Sequence, residues 1–220
     1  MPQPVTDSDL RVDIIDTALK MNSLGINQGK SGNVSARTDD GFLITPTGVP
    51  YEDTQPGQIV AMGMDGQFAG PTLPSSEWRF HRDIYAARPD IAAIVHTHAA
   101  FCTTLACMDR AIPPFHYMVA AAGGSDIRCA PYATFGSQEL SDHAVSALAG
   151  RHACLLSHHG MIACGSTLAK ALALAVEVES LARMYWQALQ IGTPTLLSEV
   201  EMAVVLGKFA HYGQQPAQSA

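Results

Sequence analysis

The chain has 220 residues, of which 47% are hydrophobic and 15% are charged, a composition that excludes an intrinsically disordered protein. This length allows one large domain or two small ones. The net charge of −7 lacks the basic footprint of a nucleic-acid-binding protein. No apolar run approaches the roughly 20 residues of a membrane span, and the first residues do not resemble a secretory signal. Five cysteines without a C-x-x-C motif are typical of reduced thiols, so we expect a cytoplasmic protein that binds neither nucleic acid nor membrane.

The first half of the chain mixes helices and strands. Helical spacing of apolar residues predicts two helices, one starting at Asp7 or Ser8 and one capped by Ser75 or Ser76 that ends near residue 87. Alternating apolar patterns with turn signals between them predict strands at residues 34–37, 42–45, 59–62 and 92–98.

The second half repeats this mixture. Strands are predicted at residues 153–157 and 161–163, and helices at residues 99–108, 137–148 and 167–191. Ser198 and Glu201 form a capping-box pair for a last helix. Because the elements do not alternate strictly, we predict one α/β domain over residues 1–213 with a mixed or largely antiparallel sheet. Residues 214–220 are expected to form a disordered tail.

The nine histidines are unevenly placed, and His96 and His98 give the sharpest local signal. Alternate residues of a strand share a face, so these two imidazoles would project side by side about 7 Å apart along the backbone and could hold one metal ion. His158 and His159 follow another apolar strand. Neighbouring strand residues point to opposite faces, so only one of this pair could join the site. Ordinary histidines at strand ends are the simpler alternative for both pairs.

Glu77 is the best carboxylate to complete such a site, because a helix N-terminus favours a negative charge. Three histidines and a carboxylate make a zinc site with room for a substrate. Without the histidines, the simpler interpretation of Glu77 would be an ordinary glutamate in the first turn of a helix. Loops rich in glycine and hydroxyl residues lie at residues 29–33, 47–48 and 75–76. Their backbone N–H groups could bind phosphate, although each loop alone is typical of an ordinary turn. None of these loops is a Walker A or a G-x-G-x-x-G motif, so the sequence does not indicate a nucleotide-binding site.

Taken in order, these motifs resemble the class II aldolase and adducin family over about residues 8–213. The matching segments are Ser31-Gly32-Asn33-Val34-Ser35, Leu43-Ile44-Thr45-Pro46-Thr47-Gly48, Pro74-Ser75-Ser76-Glu77, Val95-His96-Thr97-His98, His116-Tyr117 with Gly123-Gly124, Ala130-Pro131-Tyr132-Ala133-Thr134, and His159-Gly160. The resemblance implies one domain with a central, mostly antiparallel sheet flanked by helices. It also implies a four-fold symmetric homotetramer with active sites between neighbouring subunits.

The resemblance also implies site residues. The metal ligands would be His96, His98, His159 and Glu77, holding one Zn²⁺ per subunit, with Mn²⁺ or Co²⁺ as alternatives. The candidates for contact with a substrate phosphate are Lys30, Gly32, Asn33, Thr47, Gly48, Ser75 and Ser76. Lys30 departs from the family pattern, because similar aldolases often carry a hydroxyl residue, commonly threonine, at this position. The lysine lacks that hydroxyl but offers a positive charge to the phosphate. Tyr117 from the adjacent subunit and the C-terminal Tyr212 would be the catalytic tyrosines.

The activity implied is reversible cleavage of a ketose 1-phosphate, of the L-fuculose 1-phosphate type, to dihydroxyacetone phosphate and a short hydroxyaldehyde. In the direction of synthesis, Glu77 would remove the C3 proton of the ketone phosphate and Tyr117 would protonate the aldehyde oxygen. None of the four lysines lies in a clear buried motif, which disfavours a Schiff-base mechanism.

Three alternatives remain. Another member of the family could be a pentulose-phosphate 4-epimerase, a methylthioribulose-phosphate dehydratase or a sugar-acid phosphate decarboxylase, but His116-Tyr117 near Gly123-Gly124 favours an aldolase. A zinc hydrolase would use Glu77 to activate water, but the sequence has no H-E-x-x-H motif. A non-enzymatic, adducin-like interaction domain would not need to retain three histidines together with Glu77.

Overall fold

A computed structural model describes residues 7–209 of the chain. The helices of this part are α1 (Asp7–Ser23), α2 (Trp78–Ala87), α3 (Ala100–Ala106), α4 (Gln138–Ala147), α5 (Leu168–Ile191) and α6 (Glu199–Phe209). Its strands are β1 (Asn33–Arg37), β2 (Gly41–Ile44), β3 (Val60–Gly63), β4 (Phe68–Ala69), β5 (Ala93–Thr97), β6 (Cys129–Ala130), β7 (Ala153–Leu156) and β8 (Gly160–Gly165). None of the helices described is both long and apolar enough to cross a membrane.

The strands form one sheet in the order β4-β3-β2-β1-β5-β8-β7-β6. Neighbouring strands are antiparallel, except for β6 and β7, which are parallel. The predicted α/β domain with a central, mostly antiparallel sheet is therefore confirmed. Strand β5, which carries the first histidine pair, lies near the middle of the sheet, where both of its edges are bonded to other strands.

Helices cover both faces of the sheet, as strand β5 illustrates. Val95 belongs to the apolar cluster that contains Ile14 of α1 and extends into α3, α5 and α6. Its neighbour Ile94 points to the other face and joins Phe80 of α2 and Leu140 of α4. Ile94 and Val95 are both fully buried. Helices on both faces therefore hold β5 rigidly, which fixes whatever stands at its end.

The structure corrects some predicted boundaries. Strands β4 and β6 were not predicted, because two residues each are too short to show a pattern. Helix α2 starts later than expected, and its N-cap residue is Glu77 rather than Ser75 or Ser76; Ser75 Oγ instead accepts a hydrogen bond of 3.3 Å from the Glu77 backbone N–H. The segment 113–124, without a clear sequence pattern, contains a 3₁₀ helix over Tyr117–Ala122. The predicted tail at residues 214–220 lies outside the described residues.

The capping box of the last helix is confirmed. Ser198 Oγ accepts a hydrogen bond of 3.3 Å from the Glu201 backbone N–H, and the Glu201 carboxylate accepts one of 2.7 Å from the Ser198 N–H. These reciprocal bonds satisfy two N–H groups that a helix start leaves unpaired.

Candidate metal centre

The first two imidazoles of the site stand at the end of β5. His96 lies within the strand and His98 just after it, with Thr97 pointing to the opposite face. Their Nε2 atoms are 3.1 Å apart. The two rings therefore share one face, as the spacing of two residues along a strand requires.

The third imidazole comes from the turn that joins β7 to β8. His158 has a left-handed backbone, with φ of 54°, and its exposed ring contacts Tyr132 edge-on. His159 points inward instead, and its ring centre lies 4.8 Å from that of His96 and 4.9 Å from that of His98. The strand alternation expected to separate the two histidines is therefore the wrong explanation. A turn separates them, and it directs His159 into the cluster.

Two glycines let the neighbouring strands close on β5. A Cβ added to Gly160 would lie 2.4 Å from the Thr97 carbonyl oxygen, and one added to Gly32 would lie 2.5 Å from the His96 carbonyl oxygen. Contacts this short are forbidden, so both positions require glycine. The close approach brings the turn that bears His159, and the loop before β1, against the end of β5.

Glu77 completes the cluster from the start of α2. Its Oε2 is 3.1 Å from His96 Nε2, and its Oε1 is 3.2 Å from His159 Nε2. Only 5% of the residue is exposed. Asn33 Nδ2 donates a hydrogen bond of 3.0 Å to Oε2, whereas Oε1 has no hydrogen-bond partner among the described residues. Both carboxylate oxygens therefore lie against imidazoles of the cluster, and the Asn33 amide holds Oε2.

The surroundings set the charge of each group. Burial alone would raise the pKa of Glu77, but the neighbouring His96 and His159 rings and the Asn33 amide outweigh it and lower the pKa to about 2. Burial, reinforced by the neighbouring His96 ring, lowers the pKa of His159 to about 3 and that of His98 to about 4. Near neutral pH the site thus combines an ionised carboxylate with neutral His98 and His159 rings.

These donors fit a divalent cation. The candidate ligand atoms of Glu77, His96, His98 and His159 all lie within 4.8 Å of one another. His96 Nδ1 is 2.9 Å from the Met161 carbonyl oxygen, which accepts the Nδ1 proton and leaves the Nε2 lone pair facing the cluster. The unpartnered Glu77 Oε1 is a buried negative group that a cation would satisfy. Three imidazoles and a carboxylate are ligands that Zn²⁺ takes in proteins.

The predicted phosphate loops converge near this cluster. Lys30 Nζ donates a hydrogen bond of 2.7 Å to the Gly48 carbonyl, which links the loop before β1 to the turn after β2. The Thr47 N–H bonds the Leu73 carbonyl at 3.1 Å, which joins that turn to the segment before α2. The side chains of Lys30 and Thr47 are exposed, so both remain accessible to a ligand.

The remaining phosphate candidates lie closer to Glu77. Ser75 is buried and bonds the Glu77 backbone, whereas Ser76 is exposed. Asn33 is 3% exposed and uses both ends of its amide, toward Glu77 and toward His81. The position of Asn33 follows from the strand register, which pairs it with His96. Contact of these residues with phosphate stays a prediction.

Of the two predicted catalytic tyrosines, Tyr117 belongs to the described part of the chain. Tyr117 begins the 3₁₀ helix, is 51% exposed and packs its ring at a tilt against that of His116. Its contact with a neighbouring subunit stays a prediction, and Tyr212 lies outside the described residues. His81 and Ser35 were missed by the sequence reasoning. The available signal was spacing, because His81 follows Glu77 by one helical turn and Ser35 shares the strand face of Asn33.

Comparison with known proteins agrees with this geometry. Residues 12–186 match the family described as the Class II Aldolase and Adducin N-terminal domain. A 5-methylthioribulose-1-phosphate/5-deoxyribulose-1-phosphate aldolase of Rhodospirillum rubrum is 57% identical over 204 residues, which cover 93% of this chain and 92% of that protein. An L-fuculose phosphate aldolase of Escherichia coli is 56% identical over 201 residues, covering 91% and 94%.

The fold comparison points the same way. The solved structure of an L-fuculose 1-phosphate aldolase superimposes with a TM-score of 0.90 at 37% identity, covering 94% of this chain and 98% of that one. The relatives share the aldolase class but differ in the substrate that their names give. From the sequence match and the shared fold together, this chain belongs to the class II aldolase and adducin family.

Proposed function

We propose that this protein is a zinc-dependent aldehyde-lyase that reversibly cleaves a ketose 1-phosphate, of the L-fuculose 1-phosphate type, to dihydroxyacetone phosphate and a short hydroxyaldehyde. One observation carries the proposal: a buried, ionised Glu77 lies within 4.8 Å of the ligand nitrogens of three imidazoles, and one of its oxygens lacks a hydrogen-bond partner among the described residues. Such a carboxylate can both complete a cation site and accept a proton.

Glu77, His96, His98 and His159 would hold a divalent ion, whose positive charge would stabilise the negative charge developing beside the substrate ketone. Zn²⁺ fits the donor set, and Mn²⁺ or Co²⁺ could replace it. The chain supplies the proton acceptor. In the direction of synthesis Glu77 Oε1 takes the C3 proton of dihydroxyacetone phosphate, because that oxygen has no hydrogen bond to lose.

The loops around the cluster bind the phosphate. Lys30 brings an ammonium group beside the Thr47-Gly48 turn, where a positive charge and the Thr47 hydroxyl would favour a phosphate. Ser75 and Ser76 lie just before helix α2, whose N-terminus also favours a negative charge. The other contacts come from Gly32 and Asn33.

A neighbouring subunit supplies the second proton group. Tyr117 is half exposed, and in the direction of synthesis its hydroxyl donates its own proton to the aldehyde oxygen across an interface and takes that proton back in cleavage. Other large exposed side chains, Tyr132 and Phe135, are also typical of a surface that pairs with another copy. The assembly proposed is a homotetramer with four-fold symmetry. The free state of all five cysteines, including the exposed Cys107, supports a reducing compartment such as the cytoplasm.

Subunit exchange tests the shared site. Tyr117→Phe chains and Glu77→Gln chains, each weakly active, are mixed and allowed to form hybrid tetramers. Interfaces that pair an intact Tyr117 with an intact Glu77 should restore cleavage. Hybrids verified by mass spectrometry that are no more active than either parent would place both residues in one chain.

A second substrate is favoured by one comparison, because the relative of 57% identity is named for 5-methylthioribulose 1-phosphate and 5-deoxyribulose 1-phosphate. The deciding experiment measures release of dihydroxyacetone phosphate from those two compounds and from L-fuculose 1-phosphate, with metal analysis of the same sample. A higher kcat/KM for L-fuculose 1-phosphate supports the proposal, and the reverse order favours the second candidate. If metal-loaded protein releases no dihydroxyacetone phosphate from any of them, the aldolase assignment is wrong.

A further inference from the structure

A continuous chain of buried hydrogen bonds leads away from Glu77 into the space between β1 and α2. Asn33 Nδ2 bonds Glu77 Oε2 at 3.0 Å, and Asn33 Oδ1 bonds His81 Nε2. On the far side of the imidazole, His81 Nδ1 is 2.6 Å from Ser35 Oγ, which is 2.8 Å from the Tyr85 hydroxyl. All five residues are at most 5% exposed. A fully paired network in such a dry place rigidly orients its members.

The regular geometry of two elements builds this chain. Glu77, His81 and Tyr85 recur every four residues at the start and along α2, so they line one side of the helix. Asn33 and Ser35 are alternate residues of β1 and face that side. Successive groups of the hydrogen-bond network therefore come alternately from the helix and from the strand.

The proton positions between Glu77 and His81 follow from the chemistry of the Glu77 carboxylate, where the hydrogen-bond network begins. An ionised carboxylate only accepts hydrogen bonds, so the amide nitrogen of Asn33 must face Glu77. The amide oxygen then faces His81, and because that oxygen also only accepts, His81 Nε2 carries a proton.

The hydrogen bonds between His81, Ser35 and Tyr85 are donated in the same direction, toward Glu77. Complete burial of His81, reinforced by the nearby His96 ring, lowers the pKa of His81 to about 3, so the ring is neutral and its Nδ1 accepts. Ser35 therefore donates to Nδ1 and accepts from the Tyr85 hydroxyl. Arg37 holds Tyr85 in place, because its Nη2 donates to the Tyr85 backbone carbonyl at 2.6 Å and its guanidinium stacks over the ring.

We propose that His81 is a positioning residue that locks the Asn33 amide with its N–H toward Glu77. With the amide locked, one oxygen of Glu77 is held and the other stays free to face the cation and the substrate. The opposite amide orientation would set the Asn33 oxygen against a carboxylate oxygen, where two acceptors repel. This inference rests on the role proposed for Glu77.

Paired variants separate positioning from packing. His81→Leu removes the donor, whereas His81→Gln keeps an N–H that can reach Asn33 Oδ1 and a carbonyl that can accept from Ser35. Ile84→Ala is the matched control, because Ile84 is a buried apolar residue of the same helix. The rate of C3 proton exchange of dihydroxyacetone phosphate in D₂O should fall about 10–100-fold in His81→Leu, the usual scale for groups that orient metal ligands. KM should change little, and His81→Gln should recover most of the rate.

Ile84→Ala should lose thermal stability yet exchange the C3 proton at nearly the wild-type rate per folded molecule. If His81→Leu is no slower than this control, or if His81→Gln is as slow as His81→Leu, the positioning role is refuted. Zinc affinity, measured by competition with a chelating dye, should be weakened in the same order as the exchange rate.

A substrate-free measurement keeps the test independent of the proposed reaction. In wild-type protein loaded with zinc and labelled with ¹⁵N-histidine, NMR should show the His81 ring neutral, with the proton on Nε2. A proton on Nδ1, or on both nitrogens, would overturn the inference even where His81→Leu fails to fold. If wild-type protein does not exchange the C3 proton, the proposed function fails, whereas the ring tautomer and the zinc affinities still decide the role of His81.

Discussion

Glu77→Gln tests the Glu77 carboxylate directly, with little change in the shape of the side chain. Glutamine keeps the size of the side chain, and its carbonyl oxygen can still accept the hydrogen bond of 3.0 Å from Asn33. Its NH₂ group then replaces Oε1, which lies 3.2 Å from His159 Nε2. The change therefore removes one negative charge, one proton acceptor and one candidate ligand at the same atom.

The size of the effect follows from those losses. Removing a positioned acid or base costs about 10²–10⁴-fold in rate, which corresponds to about 3–5 kcal/mol of barrier at 1.36 kcal/mol per tenfold. Deletion of the Oε1 charge also weakens the cation site. We therefore expect the exchange rate of the C3 proton of dihydroxyacetone phosphate to fall by at least about 10²-fold, even at saturating zinc.

The assay is NMR detection of deuterium uptake by dihydroxyacetone phosphate in D₂O without aldehyde, which isolates proton removal from carbon–carbon bond chemistry. Glu179→Gln is the matched control, because Glu179 accepts hydrogen bonds of 2.9 Å from the backbone N–H groups of Phe101 and Cys102 at the start of α3. That variant should lose stability and keep the exchange rate. Exchange by folded, zinc-loaded Glu77→Gln at the wild-type rate would show that another group is the base.

Four further predictions follow from the same geometry. Removal of the metal with a chelator should abolish cleavage, and Zn²⁺, Co²⁺ or Mn²⁺ should restore part of it; full activity in a sample verified as metal-free would contradict the site. His96→Ala should lose bound metal by elemental analysis, whereas His158→Ala, whose ring is exposed, should keep it, and equal loss would show that the wrong histidine was chosen. Tyr117→Phe should slow cleavage strongly while sparing metal content and C3 proton exchange, because enediolate formation does not need its hydroxyl; loss of exchange would give Tyr117 another role. Gly160→Ala should destabilise the fold by about 1–3 kcal/mol in chemical denaturation, because its Cβ would meet a carbonyl of β5. Gly57→Ala, with open space around the Cβ, is its control, and equal stability of the two variants would refute the packing argument.

Patterns within one element could be predicted from the sequence alone. A strand turns successive side chains to opposite faces, so the spacing of His96 and His98 is enough to place their rings together. The Ser198 and Glu201 pair forms its capping box from adjacent backbone, and the apolar periods identify the helices. The strands β4 and β6 could not be predicted, because two residues are too few to show an alternating pattern.

Contacts between elements were decided by the tertiary structure. Glu77 meets His96 only because α2 packs on the face of the sheet to which His96 points, and Asn33 meets them only through the register of β1 with β5. The choice of His159 over His158 depends on a left-handed residue in a turn. His81 looks in sequence like any polar residue of a helix, and burial against β1 gives it a role. The physical reason is common to these cases: backbone geometry determines which neighbours along an element share a face, whereas the partner of that face depends on how the sheet and helices pack.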